Sequence, residues 1–255
     1  MKAQPNAVVA LRGVSVRFGA GLALEGIDLE LRQGQRVALA GPSGAGKTTL
    51  LALLNGSLSP TTGTVEVLGQ DLARLRPREL RRVQARVGTV HQQFDLVGPL
   101  RVVHNVNAGR LPAWSLAKAV GSLISPQEAS GAEAALGRVG IAEKLYERTD
   151  RLSGGEQQRV AVARALVQEP EILLADEPIA SLDPGRSLEV MELLRRLSDE
   201  SGMTLVVSLH ALAYARSHCD RIVGMRGGRI VFDAATPAVT DAMVASLYRL
   251  EEAEV

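Results

Sequence analysis

The sequence predicts an α/β fold, a mostly parallel sheet with flanking helices, carrying an N-terminal antiparallel β subdomain and an inserted α-helical subdomain. Three observations predict it. Gly41-Pro42-Ser43-Gly44-Ala45-Gly46-Lys47-Thr48 joins an apolar run at 37–40 to a helix-forming segment at 48–54. A second apolar run at 172–175 ends directly on Asp176-Glu177. From residue 170 onward the pattern is strand, helix, strand, as a parallel sheet with crossover helices requires. With 255 residues, 46% of them hydrophobic, the chain can bury a sizeable core.

The elements follow in order. Val8, Val9, Val14 and Val16, then the alternating Ile27, Leu29 and Leu31, carry strand signals, and Gln33-Gly34-Gln35 turns the chain into the run at 37–40. Ser59-Pro60-Thr61-Thr62-Gly63 reads as a loop, 64–68 as a strand and Gly69-Gln70-Asp71 as a turn. Together these form a small antiparallel sheet. Leu72, Leu75, Leu80, Val83 and Val87 stand near helical spacing among Arg74, Arg76, Arg78, Arg81, Arg82 and Arg86, a pattern read as a helix with a solvated basic face. Residues 132–145 also read as helix. Beyond the run at 172–175 come a helix at 187–197, a strand at 204–208, and two strands at 222–225 and 229–232 around a Gly227-Gly228 turn. A terminal helix is expected over 237–250. The whole is one domain over 1–255: 1–91 with 168–255 forms the core and β subdomain, and 92–167 the helical one.

Composition narrows the function classes. With 29 basic against 28 acidic residues, net charge is +1 and nothing global calls for nucleic acid. A single cysteine, Cys219, rules out an internal disulfide and suits a reducing compartment. The N-terminus lacks a signal-peptide pattern. Of the longest uncharged stretches, 48–65 is broken by Asn55, Gly56, Pro60 and Gly63, and 201–215 is too short to span a bilayer. A soluble, cytosolic protein is expected.

The chemistry begins at 41–48, a phosphate-cradling P-loop of the form Gly-x-x-x-x-Gly-Lys-Thr. Glycines let consecutive N–H groups converge on phosphate oxygens. The helix that follows, opening with Thr48-Thr49, offers its free N–H groups and positive dipole end to the same anion. Lys47 would bridge the β- and γ-phosphates of a nucleoside triphosphate, and the Thr48 hydroxyl would hold Mg²⁺. Asp176 and Glu177 stand at the C-terminal end of a strand, where open α/β sheets bind ligands. Asp176 would hold Mg²⁺ and Glu177 would polarise the attacking water.

Leu152-Ser153-Gly154-Gly155-Glu156-Gln157-Gln158-Arg159 opens another helix. Ser153 and Glu156 form a capping box. The cap does not explain two glycines in the first turn, each costing about 0.8–1.0 kcal/mol relative to alanine. They make sense if a phosphate must approach the backbone there. The P-loop already holds one phosphate site, so this second one points to a nucleotide carried by another copy.

These motifs, in this order, resemble the ATP-binding cassette family over nearly the whole chain. Its signature is Leu-Ser-Gly-Gly-Gln, and Glu156 replaces the last residue here. The resemblance implies that Phe18 stacks on adenine. It makes Gln92 a loop glutamine that contacts Mg²⁺ and senses the γ-phosphate, with Gln93 as the neighbouring candidate. His91 stands before it, where an aromatic is usual. Ser181-Leu182-Asp183 matches a loop that passes between subunits, placing Asp183 near the nucleotide. His210 matches a switch histidine on the γ-phosphate. The implied assembly is a head-to-tail homodimer enclosing two ATP molecules, each between one P-loop and the other copy's Ser153-Gly154-Gly155.

A cassette of this kind couples to integral membrane permease subunits at the cytoplasmic face of the inner membrane, and indirectly to a periplasmic solute-binding protein. Residues 114–125, with Trp114, Ala117, Val120, Leu123 and Ile124 near helical spacing, are either subdomain core or a permease-facing surface. More narrowly, the chain is similar to the ATPase subunits of bacterial phosphonate importers, including phosphite relatives. That likeness rests on Gln92-Gln93-Phe94-Asp95-Leu96-Val97, on Asn107-Ala108-Gly109-Arg110-Leu111, and on Ala180-Ser181-Leu182-Asp183-Pro184. It also rests on Val207-Ser208-Leu209-His210 and on the hairpin at 220–233. Importers of other small solutes, and lipoprotein-release or macrolide-type exporters, share the nucleotide motifs. A soluble cassette of translation or DNA repair would bring a second cassette, a long coiled coil or zinc cysteines. A GTPase would need Asn-Lys-x-Asp, and a kinase would lack Leu-Ser-Gly-Gly.

Overall fold

The structure, a computed structural model, describes residues 7–114, 121, 128–180 and 182–248. Ser181 and most of the predicted segment 114–125 lie outside the described residues. Trp114 itself is extended, at the end of a 3-10 turn over Ala108–Ala113.

Two sheets organise the chain. Strands β1 (Ala7–Phe18), β2 (Gly21–Arg32), β4 (Thr62–Val67) and β5 (Gln70–Asp71) form an antiparallel sheet in the order β2-β1-β4-β5. The second sheet combines β3 (Arg36–Ala40), β6 (Val87–Val90), β7 (Ile172–Ala175), β8 (Thr204–Leu209), β9 (Arg221–Arg226) and β10 (Arg229–Ala235), in the order β10-β9-β3-β8-β7-β6. All pairings within it are parallel except the β9–β10 hairpin at one edge. Helices α1 (Lys47–Leu54), α2 (Pro77–Gln84), α3 (Val102–Asn107), α4 (Ala129–Arg138) and α5 (Gly154–Leu166) precede β7. Helices α6 (Pro184–Ser201), α7 (Leu212–His218) and α8 (Asp241–Tyr248) follow it.

The parallel sheet is buried on both faces, and its strands show why. Ala38 and Ala40 of β3, Leu173 and Ala175 of β7, and Leu205 and Val207 of β8 face a core shared with α3–α6. Val37, Leu39, Ile172, Leu174 and Val206 face the opposite core, shared with α1 and the antiparallel sheet. Period-two alternation between two apolar surroundings leaves these strands apolar at nearly every position.

Several expectations are corrected. The helical run over 72–87 breaks into a 3-10 turn at Leu72–Arg74, helix α2, and strand β6 beginning at Val87. Val87 continues the helical spacing, yet pairs with Ile172 in the sheet. Thr62-Gly63, read as loop, opens β4, and Gln70-Asp71, read as a turn, pairs back onto it. The helix expected over 132–145 ends at Arg138, because Gly140 takes a left-handed φ of +76°. The terminal helix starts at Asp241 rather than 237, after a 3-10 turn. Helix α6 is longer than the 187–197 prediction; Asp183 caps its start and Gly202, at φ +66°, stops it.

Candidate functional site

The apolar runs at 37–40 and 172–175 become β3 and β7, with β8 between them, so the P-loop and the two carboxylates emerge on the same edge of the sheet. Lys47 is the first residue of α1 and only 4% exposed. Its ammonium donates to the carbonyls of Gly41 at 2.9 Å and Pro42 at 3.1 Å and lies 3.8 Å from Glu177 Oε1. Burial pulls the Lys47 pKa below the ordinary lysine value, against the opposing pull of Glu177 and Asp176. Two of the loop's glycines leave no room for a side chain. A Cβ on Gly41, at φ +157°, would meet Met225 O at 2.1 Å, and one on Gly46, at φ +98°, would meet Ala23 O at 2.8 Å. Ser43, Gly44 and Thr48 are exposed, Pro42 and Thr49 partly so, and Ala45 is buried.

Asp176 and Glu177 are organised by one buried hydroxyl that the sequence reading passed over. Ser208 Oγ donates to Asp176 Oδ1 at 2.7 Å and accepts the Glu177 amide at 2.7 Å. Glu177 sits at φ +47°, a left-handed value costly for a residue with a side chain. That turn carries its carboxylate to His210, whose Nε2 lies 2.5 Å from Glu177 Oε1. The signal for Ser208 was faint: a polar residue inside the otherwise apolar run of β8, fully buried. Lys47, Glu177 and His210, three of the expected site residues, are thus brought together.

The donor set suits a divalent cation of hard character. Thr48 offers a hydroxyl, Asp176 its remaining carboxylate oxygen, and Gln92 an amide oxygen, all ligands Mg²⁺ accepts. Among the described residues, no group of three or more His, Cys, Asp or Glu converges into an all-protein cage. Such a sparse set is what a cation shared with substrate phosphates needs. Gln92 and Gln93 lie in an exposed turn. Arg164 of α5 fixes that turn from behind, its guanidinium donating to Phe94 O and Asp95 O at 2.7 Å each.

The start of α5 is solvent-facing. Ser153 and Glu156 form the predicted capping box: Ser153 N donates to Glu156 Oε2 at 2.9 Å, and Ser153 Oγ accepts from Glu156 N at 3.4 Å. Bonds from the Ser153 amide and hydroxyl, with Lys144 at 3.4 Å, hold the Glu156 carboxyl below the usual range. Glutamate therefore caps this helix as an anion. A Cβ on Gly154 or Gly155 would meet nothing within 4 Å. Among the described residues, none crowds those two positions. Among the described residues, no hydrogen bond or ion pair joins Ser153–Glu156 to the P-loop of the same chain. Further along α5, the buried Gln158 donates its amide to Pro178 O, tying this helix to the turn that carries Glu177.

Phe18, at the tip of the β1–β2 hairpin, is 57% exposed, so it is no core residue and is free to stack on a flat ring. Asp183 accepts from Arg186 N at 3.0 Å as the cap of α6, a role within the chain itself. A larger cavity of about 560 Å³ lies along the outer face of α6 with Arg159, away from these residues.

Comparison with known proteins bears on the family and the fold. Residues 24–180 match the ABC transporter family. The phosphonates import ATP-binding protein PhnC of Thiobacillus denitrificans is 45% identical over 247 residues, spanning 96% of this chain and 94% of the relative. Its counterpart from Anaeromyxobacter dehalogenans is 50% identical over 97% of this chain, which spans about half, 49%, of that longer protein. Among solved structures, a dimeric post-hydrolysis state of an ATP-binding cassette bound to ADP and Pi is 31% identical at a TM-score of 0.74. That match covers 89% of this chain and 98% of the other. CbiO1 of Clostridium perfringens, part of an ABC transporter complex, is 27% identical at a TM-score of 0.78, with 91% and 89% covered.

Proposed function

The chain belongs to the ABC transporter family, and from that premise we propose that it is the ATP-hydrolysing subunit of an importer for phosphonates or phosphite. The observation that carries the ATPase reading is the convergence of Lys47, Glu177 and His210 on one sheet edge, with Glu177 Oε1 within 3.8 Å of Lys47 Nζ and 2.5 Å of His210 Nε2.

Each residue then has a task. The loop from Gly41 to Gly46, with Thr48 and Thr49 at the start of α1, encloses the phosphates through backbone N–H groups, and Lys47 leaves the Gly41 and Pro42 carbonyls to pair with the β- and γ-phosphates. Phe18 stacks on the adenine. Glu177 accepts a proton from the attacking water, and His210 holds the γ-phosphate and the Glu177 carboxylate in register. Thr48, Gln92 and Asp176 would hold Mg²⁺, which supplies positive charge to the β- and γ-phosphate oxygens when bound. Ser153, Gly154, Gly155 and Glu156 serve the ATP carried by a second copy, and Asp183 lies along the same seam. Two copies closed around two nucleotides would open once the γ-phosphate is lost.

The partners follow from the family. No described helix is long and apolar enough to cross a membrane. The transported solute would therefore pass through separate permease subunits, with this protein seated peripherally on their cytoplasmic side and a periplasmic solute-binding protein delivering cargo. Relatives named as phosphonates import ATP-binding proteins cover nearly this whole chain, which favours that solute class. Deleting the gene in its host and offering a phosphonate or phosphite as sole phosphorus source tests this. Loss of growth, restored by the wild-type gene and not by Lys47→Ala, is the expected result. Unimpaired growth in a strain without a second phosphonate importer would reject the solute assignment.

A further inference from the structure

Tyr248 closes helix α8, and its hydroxyl donates to the main-chain carbonyl of His210 at 3.0 Å. The two residues are far apart in sequence, and their contact joins the C-terminal helix to the loop between β8 and α7. Helix α8 is anchored independently of it. Leu247 is 1% exposed in the core, and Arg226 donates to Ser246 O at 2.7 Å. The tyrosine is half-exposed, so its hydroxyl reaches the loop from a fixed base while contributing little to burial.

His210 is held at two points. Its ring Nε2 meets Glu177 Oε1 at 2.5 Å, and its carbonyl meets Tyr248. The next carbonyl, of Ala211, is taken by Tyr214 N at the start of α7 at 3.2 Å. Among the described residues, no other donor reaches the His210 carbonyl. A phenol is protonated at neutral pH and so a donor here, and partial burial pushes its pKa further up. The Tyr248 contact holds the carbonyl that leaves the His210 Cα, and the Glu177 contact holds the ring that leaves the same Cα. Anchoring that carbonyl restrains the stretch of backbone from which the imidazole projects.

We propose that Tyr248 is a positioning residue for ATP hydrolysis: through the His210 carbonyl it fixes the peptide that aims the imidazole at Glu177 and the γ-phosphate. This rests on the reading of His210 as the residue that faces the γ-phosphate. The Tyr248 hydroxyl acts on His210 through the backbone and stands outside the 41–48 loop read as the phosphate cradle, so its removal should act on the chemical step rather than on ATP binding.

The test is a double-mutant cycle on the full chain, with steady-state ATP hydrolysis measured for wild type, Tyr248→Phe, His210→Ala and the pair, alongside thermal unfolding. Tyr248→Phe removes one oxygen, and its unfolding midpoint should match wild type. The expected result is a fall in kcat of about three- to tenfold with KM for ATP within about twofold. In the His210→Ala background the same substitution should then change nothing further. Three results would overturn the proposal: an unchanged kcat, a loss confined to KM, or an equal loss in both backgrounds. If His210→Ala itself turns over ATP like wild type, the role of His210 fails, and the role of Tyr248 fails with it. If His210→Ala is slow and Tyr248→Phe is not, only Tyr248 is misassigned.

Discussion

Glu177 and His210 face each other across 2.5 Å, Oε1 to Nε2, although they stand on different strand ends and 33 residues apart. The contact exists because Glu177 adopts a left-handed backbone, with φ at +47°, while Ser208 pins its amide. Backbone strain at this position is thus coupled to the aim of a carboxylate.

That geometry gives the first prediction. Glu177→Gln preserves shape and the approach to His210 but removes the proposed base. It should lower kcat by about 10²–10⁴-fold while ATP still binds. Light scattering with ATP should then find a stable dimer that wild type forms only transiently. Rapid hydrolysis by this variant would remove Glu177 from the chemistry.

A second prediction concerns stability against pH. Arg36, at the start of β3, donates to Asp220 at 2.7 Å and to Asp199 of α6 at 2.8 Å, tying the sheet to a helix. Burial alone would raise the Asp220 pKa, but the bonds from the Arg36 side chain and amide outweigh it and hold the carboxyl below its ordinary value. A depressed folded value means that the stabilisation is complete above the unfolded pKa and is lost as pH falls through the folded one. Because Asp220 is 45% exposed, Asp220→Asn should cost only about 1 kcal/mol at neutral pH. In urea melts, the gap to wild type should close as pH drops below the ordinary aspartate range of about 4.

How much was legible beforehand follows from how local each signal is. The P-loop, the apolar run ending on Asp176-Glu177, the capping box at Ser153 and the Gly227-Gly228 hairpin are each written within a few consecutive residues. Strand β6 was not legible, because Val87 extends a helical spacing and only pairing with Ile172, far along the chain, makes it a strand. Ser208 gave only a faint signal as a site residue, and Gln158 and Arg164 none, for the same reason. Their roles are defined by partners 20 to 70 residues away: Asp176 and Glu177 for Ser208, Pro178 for Gln158, Phe94 and Asp95 for Arg164.

Arg164 yields a third prediction. Phe94 and Asp95 both lie in the left-handed region, at φ +57° and +48°, and their carbonyls are held by the two guanidinium nitrogens. Two such residues in succession are costly, and the arginine offsets that cost. A lysine offers one nitrogen, which cannot span both carbonyls. Arg164→Lys should therefore destabilise the protein by about 1–2 kcal/mol in denaturant melts. It should also slow ATP turnover, because Gln92 rides on the same turn. Full activity with lowered stability would separate the turn from catalysis.

The last prediction sets the needs of one chain against those of two. Within a single copy, Gly154 and Gly155 lie in the first turn of α5 with open space where a Cβ would stand. Neither has a positive φ, so alanine fits the backbone at both positions. Helix propensity alone then makes Gly155→Ala neutral or stabilising, by up to about 1 kcal/mol. A phosphate approaching from a second copy would instead meet the added methyl groups, and Gly154→Ala/Gly155→Ala would block closure over ATP. The expected pairing is an unfolding midpoint equal to or above wild type together with loss of ATP-dependent dimerisation and of most turnover. Retained or raised stability with lost dimerisation would show that the glycines answer to a demand other than the folding of their own chain. If the double variant dimerises and turns over ATP like wild type, the helix start does not receive a neighbour's phosphates.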